Sequence, residues 1–281
     1  MSLANGFSWN HKLIRLLGYS IAGVSTSIAF PDADACFDVA QGLPYQIPIS
    51  NLLITHGHMD HASGLPYLIG QKSMTSQPPP MIYMPPTLVE PLESIMRLWE
   101  KIEDHQYKYK FIAVEEGISY PLKPPYYFKI FKTFHRVPSN GYTIFERKKK
   151  LKLEFQKLTP VEIVEKKRQG IEIEAIIEDP IVSFTGDSRI EFLDHCEWIK
   201  KSRILIMEVT FVDQKKSVEN ARFWGHIHFD ELLPRLESLQ CEKVVLIHLS
   251  ARYKTKELKD IIEARVPEHL KSKLEIFPRP I

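Results

Sequence analysis

The chain is 281 residues long, with 37 Lys and Arg against 35 Asp and Glu, a formal charge of +2, and 44 % hydrophobic residues. That length and balance fit one large α/β domain and exclude a disordered or fibrous polymer; with so little net charge, only local clusters can point to a polyanionic partner. Cys36, Cys196 and Cys241 stand far apart without C-x-x-C spacing, which excludes a disulfide scaffold and predicts core thiols in a reducing cytoplasm.

The amino terminus has no basic start before a long apolar stretch, so no secretory leader is expected. Residues 14–30 are fairly apolar but include Arg15, Gly18, Ser20 and Gly23, which predicts paired strands in place of a membrane span. A short apolar run, Asn51–Thr55, then meets Thr55-His56-Gly57-His58-Met59-Asp60-His61. A lone His is usually packed or solvated, but three imidazoles with a carboxylate beside an apolar run would be hard to bury unpaired. A His-x-His pair sets both rings on one side of an extended segment, and neutral imidazole with ionised carboxylate suits Zn²⁺ or a similar divalent ion. The motif predicts a metal site, and one half of a two-metal site.

Further along, prolines 78–80 and 85–86 bracket Met81–Met84, read as a loop, a short strand and a turn. Residues 88–102 form a candidate helix with apolar positions 88, 92, 95, 96, 99 and 102. The strand candidate 127–134 leads to His135. Residues 147–168 carry nine Lys or Arg, including Lys148, Lys149 and Lys150, against Glu154, Glu162 and Glu165. Within this cluster Thr159-Pro160-Val161-Glu162 has the form of a capped helix start, with Leu158 and Ile163 as a staple. Three more runs follow: 181–185 leads to Gly186-Asp187, 204–207 to Glu208 and 244–247 to His248, with a candidate helix over 230–239. Parallel strands with a common carboxyl edge would bring these five endings, His56, His135, Asp187, Glu208 and His248, to one place. His11, His105, His195 and His269 have no partner pattern and read as ordinary packed or surface residues.

The signature His56-x-His58-x-Asp60-His61 resembles that of the metallo-β-lactamase fold, and its surroundings resemble the short form of ribonuclease Z, the tRNA 3′-processing endonuclease. The segments Asp60-His61-Ala62-Ser63-Gly64-Leu65-Pro66 and His135-Arg136-Val137-Pro138-Ser139-Asn140-Gly141-Tyr142 carry that likeness. So do 184–189, 205–211, Gly225-His226 and 247–253, in the same order, so that nearly the whole chain takes part. The resemblance implies an αββα sandwich, a four-layer α/β fold, as a single domain over 1–281 with a Lys-rich insert at about 146–170. It also implies two divalent ions, Zn²⁺ or else Mn²⁺, one on His56, His58 and His135, the other on Asp60, His61 and His248, with Asp187 bridging.

By the same resemblance Asp60 would accept a proton as well as bind metal, and Glu208 would orient and charge His226, the donor to a leaving 3′-oxygen. The substrate would be precursor tRNA, the assembly a homodimer, the location cytoplasmic and non-membranous. Ser139, Ser250 and Arg252 would hold RNA or brace the loops carrying His135 and His248. His228 has no assigned role. The insert sits where the family carries its tRNA-gripping arm but lacks the arm's Gly-Pro-rich motif. Competing expectations are a phosphodiesterase of the same fold acting on a small substrate, and a non-catalytic RNA-binding protein.

Overall fold

In the computed structural model, which describes residues 5–279, the apolar runs form two seven-stranded sheets. The first holds β1 (Phe7–His11), β2 (Ile14–Ile21), β3 (Ser25–Phe30), β4 (Ala35–Phe37), β5 (Asn51–Leu53), β6 (Met81–Met84) and β7 (Lys110–Ala113) in chain order. The second holds β8 (Tyr120–Pro121), β9 (Tyr126–Lys132), β10 (Asn140–Leu151), β11 (Glu174–Phe184), β12 (Ile204–Glu208), β13 (Lys243–Ile247) and β14 (Leu274–Ile276), also in chain order. Each sheet starts with three antiparallel pairings and continues with three parallel ones, so both halves of the chain follow one topology.

The sheets pack face to face. Leu16, Ile28, Phe30, Phe37 and Leu53 of the first meet Phe128, Tyr142, Ile144, Val182, Phe184, Ile206 and Ile247 of the second in one buried cluster. Helices α1 (Met59–Ala62), α2 (Leu65–Met74) and α3 (Pro86–Glu103) cover the outer face of the first sheet. A nine-residue helix, α4 (Pro160–Arg168), lies in the β10–β11 connection. Helices α5 (Phe192–His195), α6 (Glu197–Lys200), α7 (Val218–Trp224), α8 (Phe229–Leu232), α9 (Thr255–Arg265) and α10 (Glu268–Lys271) follow, and the outer face of the second sheet packs against α5, α6, α8, α9 and α10. This is the expected αββα sandwich.

Burial on both faces explains the unbroken apolar runs. In β12, Ile204 and Ile206 face the other sheet while Leu205 and Met207 face the helices, and β13 alternates in the same way through Val245 and Ile247 against Val244 and Leu246. A parallel strand covered on both sides reads as continuous hydrophobic sequence. Gly64, in the Gly-Leu-Pro segment, has a steric reason to be glycine: an added Cβ would stand 2.0 Å from the backbone nitrogen of Gly42. Tyr142 ties the sheets together by donating its hydroxyl to the Ile54 carbonyl at 2.6 Å, one residue before Thr55.

Two expected helices differ from their reading. The 230–239 segment is α8 followed by a 3₁₀ stretch, Leu233–Ser238, because Pro234 has no amide hydrogen to continue the α pattern. In α3 the apolar positions divide between two faces. Met96 is buried and Leu88 and Leu92 pack on the core, whereas Ile95, Leu98, Trp99 and Ile102 are exposed. The capped start of α4 forms as expected: Thr159 Oγ1 accepts from the Glu162 amide, and the Glu162 carboxylate accepts from the Thr159 amide at 2.7 Å.

Candidate metal centre

All five strand endings do converge. His56 follows β5, His135 follows β9, Asp187 follows β11, Glu208 ends β12 and His248 follows β13, while Asp60 and His61 lie on α1. Under them Phe37 and Phe184 stack across the sheets with centroids 4.8 Å apart, one residue before Asp38 and three before Asp187. His248 adopts a left-handed backbone (φ 54°), which turns the chain at the strand end, and its amide donates to Ser20 Oγ at 2.9 Å. His tolerates that region better than most side chains do.

The expected ligands form two groups that share an edge. His56, His58, His135 and Asp187 offer atoms within 4.8 Å of one another, as do Asp60, His61 and His248. Asp187 Oδ1 lies 3.4 Å from His61 Nε2 and 3.3 Å from His248 Nε2, and its Oδ2 is 3.7 Å from His56 Nε2. His135 Nε2 and His58 Nδ1 are 3.3 Å apart, and Asp60 Oδ2 is 3.4 Å from His248 Nε2. Ligand arms of about 2.0–2.1 Å at tetrahedral angles separate their donor atoms by about 3.3 Å.

The chemistry of these atoms also fits a cation. His56 Nε2, His61 Nε2 and Asp187 Oδ1 are buried without a hydrogen-bond partner, an arrangement that is costly unless an ion completes it. Burial lowers the pKa of His56, His58 and His135, leaving the neutral imidazoles that can ligate. Burial alone would raise Asp187, but attraction from His248 and His61 holds it well below the usual carboxylate range. These groups can hold metal ions.

A ring of outer contacts sets the orientation of the imidazoles. Asp38 Oδ2 lies 2.7 Å from His61 Nδ1, and Asp38 Oδ1 accepts from the Thr55 amide at 2.7 Å. Thr55 Oγ1 lies 2.9 Å from His56 Nδ1, the Gly225 carbonyl accepts from His135 Nδ1 at 2.9 Å, and Thr210 Oγ1 lies 3.1 Å from His248 Nδ1. Asp38, Thr210 and the Gly225 carbonyl were not legible as site groups from motif matching. Asp38 had a signal nonetheless, since it ends the apolar run Ala35-Cys36-Phe37 as the ligands end theirs.

His226 lies beside the same cluster, offering an atom within 4.8 Å of those of Asp187 and His248. Its Nδ1 is 2.9 Å from Glu208 Oε1, and Glu208 is fully buried, accepting from the Ser188 amide and from both the amide and hydroxyl of Thr210. Burial opposes charge on His226, but attraction and a hydrogen bond from Glu208, with Asp187 adding to them, raise its pKa to about 9.

The remaining expectations divide. Ser139 bonds Thr133 Oγ1 at 2.7 Å within the His135 loop, and Ser250 accepts from Arg252 Nε at 3.0 Å beside His248, so these contacts brace the ligand loops. Arg252 also stacks on Phe211. His228 caps α8, its Nδ1 accepting from the Asp230 amide at 3.1 Å and its Nε2 donating to the Asp213 carbonyl at 3.0 Å. His11 pairs with Glu242 and His269 with Glu237, while His105 and His195 lie against Tyr107 and Phe134; none of the four joins a metal group.

Lys148, Lys149 and Lys150 lie on the exposed outer part of β10, paired in register with residues 177, 176 and 175 of β11. That returning strand matters electrostatically. Over 147–179 the nine basic residues meet seven acidic ones, because Glu172, Glu174, Glu178 and Asp179 add to the three already counted. Lys148 is held by Glu146 at 2.7 Å and Asp179 at 3.4 Å, Arg147 by Glu178 and Lys167 by Glu174. The hairpin is therefore charge-laced and much less basic than its first half suggests.

The chain is 36 % identical to tRNase Z TRZ1 of Arabidopsis thaliana over 263 residues, which is 91 % of this chain and 94 % of that one. It belongs to the ribonuclease Z family. It also falls in the family described as Anti-Pycsar protein Apyc1, whose model matches residues 32–263. Among solved structures, the metallo-β-lactamase fold protein YhfI from Bacillus subtilis superposes with a TM-score of 0.65 at 14 % identity, covering 95 % of this chain and 98 % of that one. Human tRNase Z, short form (ELAC1), superposes at 0.59 with 17 % identity, covering 95 % and 99 %. These two likenesses establish the metallo-β-lactamase fold, and the 36 % relative establishes the ribonuclease Z family. Among the described residues, no helix is long and apolar enough to cross a membrane.

Outer carboxylates that orient metal-binding His typically govern affinity by 10- to 100-fold. Asp38→Ala is accordingly expected to weaken divalent-ion binding by about that factor in a chelator-competition titration; unchanged affinity would show that Asp38 does not orient His61.

Proposed function

We propose that this chain is a metal-dependent endoribonuclease that removes the 3′ trailer from precursor tRNA and leaves a 3′-hydroxyl on the tRNA. The observation that carries this reading is the placement of an imidazole, His226, 2.9 Å from the buried Glu208 carboxylate and beside the His and Asp cluster, in a chain of the ribonuclease Z family. We assign His56, His58 and His135 to one divalent ion, Asp60, His61 and His248 to a second, and Asp187 to both. Their N and O donors suit Zn²⁺, with Mn²⁺ as the alternative. When bound, such a pair makes a water nucleophilic near neutral pH and offsets charge on the phosphoryl oxygens.

The protein's own groups then handle protons. Asp60, whose Oδ2 is held by the Gly23 amide at 2.9 Å, accepts a proton from the attacking water. His226 gives its proton to the 3′-oxygen as that oxygen leaves phosphorus, and Glu208 keeps the ring charged and oriented. We further propose one domain from which residues 146–170 project as a modest RNA-gripping arm, and a cytoplasmic setting. The three cysteines support that setting: all are unpaired and buried, with burial pushing each thiol up to about 12. The exposed stripe Ile95, Leu98, Trp99 and Ile102 on α3, next to exposed Tyr67 and Met74, supports a homodimer.

Three outcomes test this reading. Purified, metal-supplemented protein is expected to cut precursor tRNA just after the discriminator nucleotide; Asp60→Ala and His226→Ala should each lower kcat by about 10²–10⁴-fold. Activity unchanged in either variant would remove that residue from the chemistry, and an uncut precursor beside a hydrolysed small phosphodiester would favour the small-substrate phosphodiesterase. Neutralising Lys149 and Lys150 should reduce the salt slope of precursor binding by about 1 to 2, whereas Lys148, already held by Glu146 and Asp179, should contribute less; an unaltered slope would place the arm outside the RNA footprint. In sedimentation, wild type should run as a dimer and Leu98→Glu as a monomer; an identical profile for both would exclude the α3 stripe as the interface.

A further inference from the structure

Beside His135 opens a cleft lined by Lys132, Arg136 and Arg189 together with Thr133, Ser139 and Asn140, and no carboxylate is among its lining residues. Arg189 Nε is buried there without a hydrogen-bond partner. Such a basic pocket, with no carboxylate in its lining, favours an anion. Arg136, one of its lining residues, packs on two aromatic side chains at the end of α7: Phe223 is 67 % exposed and Trp224 50 %. The Arg136 guanidinium lies 4.9 Å from the Trp224 centroid and 5.8 Å from that of Phe223, and the two rings meet edge-on at 5.2 Å.

This platform is joined directly to the reacting centre. Arg136 follows His135, and Trp224 precedes Gly225 and His226. Gly225 (φ 81°) ends α7, and an added Cβ there would lie 2.7 Å from His135 Nδ1 and 3.2 Å from the Arg136 nitrogen, so the helix end rests on the His135–Arg136 backbone. The His135 and His226 rings are 5.2 Å apart. Aromatic faces with an adjacent cation are the means by which proteins hold unpaired bases, and cationic clefts hold the connecting phosphates.

We propose that Trp224, with Arg136 and Phe223, stacks the base of the nucleotide whose 3′-oxygen leaves, while Lys132 and Arg189 take the neighbouring phosphate. This rests on the nuclease reading above, which puts the leaving oxygen at His226 and hence its nucleotide on the Trp224 side. The surface is thus a single-strand subsite at the junction between tRNA body and trailer. It holds any base by its face, and it explains why two large aromatic side chains stay in water.

The test compares wild type, Trp224→Ala and Trp224→Phe on precursor tRNA that is either intact or abasic at the nucleotide bearing the leaving oxygen. On intact precursor, Trp224→Ala is expected to lose about tenfold in kcat/KM and Trp224→Phe much less. On the abasic precursor, wild type should show a similar loss and Trp224→Ala no additional one. An equal further loss on both substrates, no loss on either, or coupling to an abasic first trailer nucleotide instead would overturn the stacking assignment. A wild-type protein that leaves intact precursor whole would overturn the nuclease reading itself, which separates the two failures.

Discussion

The structure depends on balancing charge in a desolvated seam. Asp38 and Asp187, with Glu208 nearby, lie buried at the carboxyl edge of the two sheets, and Asp60 sits beside them. Isolated carboxylates in such a place would cost far more than a domain's net stability. Each is answered: Asp38 by His61 and Thr55, Glu208 by His226, Thr210 and Ser188, and Asp187 by His61, His56 and His248. Even so, some donor and acceptor atoms stay without hydrogen bonds, and they face one another at ligand spacing. A cation held by these atoms would complete the seam, and metal binding would then be coupled to the integrity of the fold.

The scaffold delivers these groups through a repeated plan. Each half of the chain supplies a sheet that changes from antiparallel to parallel at its fourth strand, and the parallel strands β5, β11, β12 and β13 all end at the site. Parallel strands buried on both faces hold strand ends rigidly in register, while the short loops beyond them are free to carry polar residues. Phe37 stacked on Phe184 and Tyr142 bonded to the Ile54 carbonyl lock the two sheets together just beneath the ligands. Gly64 serves the same end by letting the start of α2 lie against Gly42.

Around this rigid centre the surface is unevenly equipped for RNA. In the β10–β11 hairpin Arg147, Lys148 and Lys167 pair with acids on the returning strand, which offsets part of its basic character. The cleft next to His135 has no carboxylate among its lining residues, and the aromatic rings beside Arg136 lie in the same short segment as His226. Recognition by stacking close to the cut and weak electrostatic contact farther away would suit a substrate whose body is held by shape and whose junction is single-stranded.

By itself the sequence singled out the candidate site: His56-x-His58-x-Asp60-His61, and the apolar runs ending at His135, Asp187, Glu208 and His248, mark polar groups at strand ends because doubly buried strands leave a continuous hydrophobic trace. It also determined the capped start of α4, since a capping box is local. Only the tertiary structure decided which acids support which imidazoles, that His228 is a helix cap, that the apolar positions of α3 split between core and surface, and that on β10 Arg147 meets Glu178 and Lys148 meets Asp179. It alone also brought Arg136 to Trp224, 88 residues further on. Local pattern reports what each residue can do, but pairing, burial and charge balance are set by neighbours distant in the chain, and those are chosen only when the sheets pack.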